Sequence, residues 1–253
     1  MFYSRKLKRI KKIKHCFFSK KNGFSKGVYK SLNCGRGSND NKKTVLKNLS
    51  IVAKKMGVKK SNLILMHQTH SNKVVEIVKK NYKKKIKADA IITKMKGIAL
   101  GVVTADCVPI ILYDVRNEII GCIHAGWKGA FSNIIRNTIK KIKMINSNGK
   151  IYAVIGPCIG KKSYEVDLNF YKKFIKKWSK NKKYFSKKSE RKKLFDLRKY
   201  VTDKLLEYNI KIDQIKRDTF AEKSNFFSYR RSVKLKQNDY GRCISTISLL
   251  KLY

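Results

Sequence analysis

His70, Cys107 and His124 each stand where an apolar run breaks into a turn containing Gly, Pro or Asp. Two imidazoles and a thiolate are a ligand set for a catalytic zinc, because three protein donors leave the fourth tetrahedral position to water or substrate. Taken singly, each residue has an ordinary explanation. A cysteine between two apolar runs, as in Thr104-Ala105-Asp106-Cys107-Val108-Pro109, is usually inert packing. His124 closes an apolar run and opens Ala125-Gly126-Trp127-Lys128-Gly129, and strand ends are where sheets present reactive groups. His67, three residues before His70, reads as a solvated turn residue. Asp106 adjoins the cysteine and is a candidate to orient a ligand or transfer a proton, while Asp89 is a candidate to support the ligands from behind.

The elements that must position these residues follow from periodicity. Apolar runs at 63–66 and 74–78 predict strands flanking the His70 turn. Four more runs, at 89–93, 98–103, 108–113 and 119–124, are nearly continuous and predict strands buried on both faces. A helix is expected over 40–56, with Asp40 as its cap, Val45, Leu49, Val52, Ala53 and Met56 as its apolar face, and Gly57 as its stop. A second helix is expected over 132–145, then a strand at 151–155. The segment 167–208 reads as mostly helical, with a Lys/Ser-rich loop near 179–190. Strands at 226–229 and 243–250 would close the sheet. Intermingled strands and helices predict an α/β class: a three-layer α/β/α sandwich around a mixed β-sheet.

No repeat or Pro/Gly-rich linker divides the 253 residues, and the only prolines are Pro109 and Pro157. One domain over 1–253 is expected, with residues 1–14 as a basic tail. With 42% hydrophobic residues, the 31% that are charged do not signal disorder. No apolar run reaches the 18 or so residues of a spanning helix, and Cys16-Phe17-Phe18 is too short for a signal-peptide core, so a cytoplasmic protein without membrane partners is expected. The six cysteines are dispersed and form no CxxC, which argues against a disulfide framework or a zinc ribbon. A net charge of +46 would suit nucleic acid, but 51 lysines against 11 arginines is the wrong balance for bidentate recognition. The lysines are also scattered through nearly every segment. Nonspecific adhesion to polyanions is expected, and no specific nucleic-acid partner.

The segments QTHSNKV (68–74), ADAIIT (88–93), TADCVPI (104–110), HAGWKG (124–129), IGPCIG with YEV (155–166) and FFSYRR (226–231) resemble the YfiH family. That family is known as a laccase or polyphenol oxidoreductase domain and also as a purine nucleoside phosphorylase. The matches run in order along nearly the whole chain. SLNCG (31–35) is similar to the family's Asn-Leu-Gly element, with Cys34 in place of Leu. The resemblance implies zinc on His70, Cys107 and His124, and a three-layer α/β/α fold.

It further implies phosphorolysis of purine nucleosides by inorganic phosphate, with adenosine deamination as a second activity. A zinc-bound water has a pKa lowered toward ~7, which would suit attack on C6 of adenosine. Phosphorolysis needs an anion site. Gly126 to Gly129 with Lys128, at the start of the 132–145 helix, could provide it or could merely turn the chain. Tyr164 and Glu165 could line the pocket. Arg230 and Arg231 could meet phosphate or ribose, or pair structurally. Cys122 reads as buried, and Cys158 as more ambiguous. Two other chemistries stand as alternatives. One is a metal-free Cys107–His124 hydrolase, as in cell-wall precursor editing. The other is copper-dependent phenol oxidation, which multicopper enzymes build from many more than the four histidines present here.

Overall fold

The computed structural model describes residues 1–251 and is an α/β sandwich with mixed sheets and outermost helices. Its β layer is double. A five-stranded sheet runs in the order Ile13–Phe17, Cys243–Leu249, Ala99–Thr104, Leu63–His67, Ile86–Lys87. A six-stranded sheet runs Lys211–Gln214, Ile151–Ile155, Val108–Asp114, Ile119–Ala125, Ala90–Thr93, Val74–Glu76. The continuous apolar runs are explained by this stacking, since alternate residues of one strand serve two cores. Ile110 and Leu112 face the helices Ile134–Ile145 and Leu197–Leu206, whereas Ile111 and Tyr113 face the other sheet beside Leu100, Val102 and Ile247. The helix Lys42–Met56 covers the outer face of the five-stranded sheet through Val45, Leu49, Val52 and Met56.

Three chain crossings between the two sheets bring the sequence candidates together. Residues 68–73 pass from Leu63–His67 to Val74–Glu76, residues 88–89 from Ile86–Lys87 to Ala90–Thr93, and residues 105–107 from Ala99–Thr104 to Val108–Asp114. His70, Asp89 and Cys107 each sit on one of these crossings.

Several sequence expectations are corrected. Asn41, not Asp40, caps the Lys42–Met56 helix, accepting from the Thr44 N–H at 3.0 Å. Asp40 is occupied elsewhere, accepting from Ser25 Oγ at 2.6 Å and Asn33 Nδ2 at 2.9 Å. The expected 132–145 helix is present as Ile134–Ile145, but an unexpected short helix, Trp127–Phe131, precedes it, the two separated at Asn133, whose φ of +70° is left-handed. The expected loop near 179–190 is loop only over 188–191, being 3-10 helix over Ser179–Tyr184 and strand over Phe185–Lys187. Strands Phe185–Lys187 and Lys192–Phe195 join Glu165–Asp167 in a small antiparallel sheet, with the rings of Phe185 and Phe195 stacked at 4.8 Å. Residues 226–229 are not a strand. Phe226 and Phe227 are buried beside Ala105 and Cys243, and Ser228 caps the helix Tyr229–Lys234. The first fourteen residues are basic but packed. Phe2 pairs with Phe17, and the short helix Arg5–Lys8 buries Leu7.

Candidate metal and active site

The strand Ile119–Ala125 is buried along its length and delivers His124 at its end, with the ring 3% exposed. His70 is exposed and Cys107 half-buried, so the cluster opens to solvent on their side. The donor atoms of His70, Cys107 and His124 all lie within 4.8 Å of one another. Cys107 Sγ is 3.7 Å from His70 Nε2, and the two imidazole rings meet edge-on with centroids 4.7 Å apart. A tetrahedral ion of zinc's size would hold sulfur and nitrogen about 3.6 Å apart. The donor set therefore fits a metal ion with one position left open.

Asp89, wholly buried, holds this geometry. Its Oδ1 is 2.8 Å from His124 Nδ1 and accepts from the His70 N–H at 3.0 Å. Its Oδ2 accepts from the Ser71 N–H and Oγ at 2.7 and 2.6 Å and from the Thr69 N–H at 3.1 Å. Bound through Nδ1, His124 presents Nε2 to the cluster. Burial pushes the Asp89 carboxyl up, but the bonds from His124 and Ser71 outweigh it and hold the group well below the usual carboxylate range. In the same way burial alone would neutralise Cys107 and His124. Instead the sulfur is driven down by His124 and by hydrogen bonds from both histidines, while His124 is driven up by Cys107 and Asp89. The protein thus favours a thiolate at Cys107, the form that ligates metal or attacks carbon.

Two backbone positions of the site are held in the left-handed region, His70 at φ +59° and Asp106 at φ +85°. Non-glycine residues seldom stay there unless their surroundings over-determine them. For His70 the surroundings are Asp89 and Gln68. The Gln68 amide bridges the Val103 backbone, donating to its O at 2.8 Å and accepting from its N–H at 3.0 Å. For Asp106 they are three donors on distant segments: Thr219 Oγ1 at 2.7 Å, Ser228 Oγ at 2.8 Å and the Arg230 N–H at 2.7 Å. The Asp106 side chain thus binds residues 219–230 to the cysteine turn. Gly126 lies against the cluster from the other side. A Cβ there would fall 2.9 Å from Cys107 Sγ and 2.8 Å from His70 Cδ2, so only glycine fits.

The remaining sequence candidates distribute as follows. Lys128 is exposed on the five-residue helix Trp127–Phe131, which Gly126 caps, and its Nζ lies 5.7 Å from the centre of the Trp127 ring. Arg230 places its guanidinium 5.2 Å over the Tyr164 ring and donates to the Glu165 carbonyl at 2.5 Å. Arg231 is structural, donating to the carbonyls of Thr219, Phe220 and Phe226. His67 is exposed, and Cys122 and Cys158 are buried, with Cys158 pushed up to about 12 by burial. The hollow between helices Ile134–Ile145 and Leu197–Leu206, lined by Arg136, Lys140 and Tyr208, contains none of these residues. Gln68 and Ser71 received no role from the sequence, because an amide or hydroxyl in a turn gives no signal until its partner is known.

Residues 14–250 match the family described as multi-copper polyphenol oxidoreductase laccase. The chain belongs to this family. A Rickettsia conorii relative named purine nucleoside phosphorylase is 38% identical over 199 residues, 76% of this chain and 80% of that one. A Haemophilus influenzae relative of the same name is 32% identical over 92% of this chain and 93% of its own. Among solved structures, Bacillus licheniformis YfiH superposes with a TM-score of 0.87 at 27% identity, covering 94% of this chain and 93% of that one. Neisseria meningitidis NMB0706 gives 0.85 at 27% identity, covering 96% of each chain. Among the described residues the family's copper description finds one three-ligand cluster. His15 is buried apart, accepting from the Ser4 backbone, and His67 is exposed.

Proposed function

We propose that this protein is a zinc-dependent purine nucleoside phosphorylase acting on adenosine- and inosine-type nucleosides, with adenosine deamination as a side activity. The observation that carries the reading is the convergence of His70, Cys107 and His124 around one open coordination position, in a chain whose relatives bear that name. In the reaction an oxygen of inorganic phosphate forms a bond to C1′ of the ribose as the N-glycosidic bond breaks. The bonding pair leaves with the base nitrogen, which takes up a proton. The products are free base and ribose 1-phosphate.

His70, Cys107 and His124 would hold the zinc, which when bound supplies Lewis-acid polarisation of a group placed in the open position. Asp89 fixes His124 through Nδ1 and His70 through its backbone N–H, so the ligands are set before substrate arrives. Gly126 closes one side of the cluster with backbone alone. Lys128 and the Arg230 guanidinium supply positive charge for phosphate, with Tyr164 beside Arg230. Asp106 keeps Arg230 in place through the Arg230 N–H, and is better suited to this positioning than to proton transfer, since its oxygens already accept three bonds. All six cysteines are free thiols, which supports a cytoplasmic setting.

A metal-free hydrolase is the second reading, favoured by one observation: Cys107, His124 and Asp89 line up as nucleophile, base and orienting carboxylate. The experiment is incubation of purified protein with inosine, with and without phosphate. Equimolar hypoxanthine and ribose 1-phosphate, formed only with phosphate and lost on chelation, is the expected result. Turnover that ignores both phosphate and chelators would favour the hydrolase. Ammonia release from adenosine reads out the side activity.

A further inference from the structure

Two independent routes bring Tyr240 toward the turn that carries Cys107. Cys243 pairs with Thr104 in antiparallel register. The chain running on from Thr104 to Cys107 therefore starts beside the chain running back from Cys243 to Tyr240. Separately, the Arg230 N–H is bonded to Asp106, next to Cys107, and the ring of neighbouring Tyr229 lies 5.2 Å from that of Tyr240. Burial pushes the Tyr240 phenol up, Arg242 opposes this, and the Cys107 sulfur adds to it.

Tyr240 is half-buried and firmly braced. The Arg242 guanidinium lies 4.3 Å from the centre of its ring and donates to the Tyr240 carbonyl at 3.1 Å. Arg242 is itself fixed, its N–H donating to Asn33 Oδ1 at 2.9 Å and its guanidinium standing 3.8 Å from Asp239. A Cβ on Gly35 would meet the Arg242 side chain at 2.7 Å, so this glycine makes room for the arginine to lie against the ring.

We propose that Tyr240, backed by Arg242, is the platform on which the purine base of the nucleoside stacks. A rigid aromatic face beside the cluster suits a flat heterocycle, and every purine offers a π-face to it. This inference rests on the phosphorolysis reading and assigns that reading its base subsite.

The test compares Tyr240→Phe and Tyr240→Leu with wild type for the KM of inosine, the KM of phosphate, kcat, metal content and Tm. Tyr240→Leu keeps an apolar side chain but removes the π-face, and its inosine KM is expected to rise about 10-fold, within the range of base–aromatic stacking. Its phosphate KM, metal content and Tm are expected to stay at wild-type values, and Tyr240→Phe to bind inosine as wild type does. An unmoved inosine KM in Tyr240→Leu, or a Tyr240→Phe as impaired as Tyr240→Leu, would overturn the proposal while leaving phosphorolysis intact. Wild-type protein without phosphate-dependent turnover would overturn the functional reading and this inference with it.

Discussion

The carboxylate of Asp89 touches the backbone of Thr69, His70 and Ser71 and the ring of His124, so one side chain fixes two of the three candidate ligands. Replacing it by Asn keeps the shape but removes the charge that orders those donors. Asp89→Asn is expected to weaken metal binding about 10- to 100-fold, read by competition with a chelator; unchanged affinity would show that the ligands do not depend on it. His70, Cys107 and His124 were legible as a set because each stands at the edge of an apolar run within a segment that resembles the family. The weight carried by Asp89 could be read only in part. An acidic residue before a strand is visible, but its four-way bonding exists only once two crossings and the end of strand Ile119–Ala125 are brought together. Asp106 was legible as a neighbour of the cysteine and not as a clamp on Thr219, Ser228 and Arg230, which lie more than a hundred positions away.

Among the elements, most of the strands between residues 63 and 155 and the one at the C-terminal end were the most legible, their apolar runs matching the observed spans to within a residue or two, whereas Ile13–Phe17 was missed. Boundaries set by a single polar group were not. Asp40 and Asn41 are both good caps, and only the competing bonds of Asp40 to Ser25 and Asn33 decide between them. The packed N-terminal segment was missed for a related reason: its lysines and arginines point outward while Ser4 and Leu7 dock. That docking has a pH signature. The Ser4 N–H donates to Nε2 of buried His15, and Ser4 Oγ donates to Asp213 at 2.6 Å. Burial pushes His15 down to about 4, with Asp213 pulling weakly the other way. Below an unfolded value of about 6.5 the unfolded chain takes up a proton that the folded chain refuses until about pH 4, so stability rises with pH across this window. The contribution is whole above pH 6.5 and falls by up to about 3 kcal/mol as pH drops toward 4. Urea midpoints at pH 7.5 and 4.5 should separate more for wild type than for His15→Gln. Equal separation would contradict the assignment.

The two large sheets stack face to face, and the candidate metal cluster sits where the chain passes between them. No helix among the described residues is long and apolar enough to cross a membrane. The net charge of +46 is carried mainly by dispersed lysines, so it should act as a diffuse field. Adhesion to duplex DNA is expected to collapse between about 50 and 200 mM salt and to be indifferent to sequence; a sequence preference that survives physiological salt would contradict this. The double β layer was not legible, because a strand buried against helices and one buried against a second sheet present the same apolar run. In the proposed reaction the His70–Cys107–His124 cluster does the chemistry. The most direct measurement is ribose 1-phosphate formation from inosine and phosphate by wild type and by Cys107→Ala at equal fold stability. Turnover by the wild type and none by the variant is the predicted result, and full activity in Cys107→Ala would contradict it.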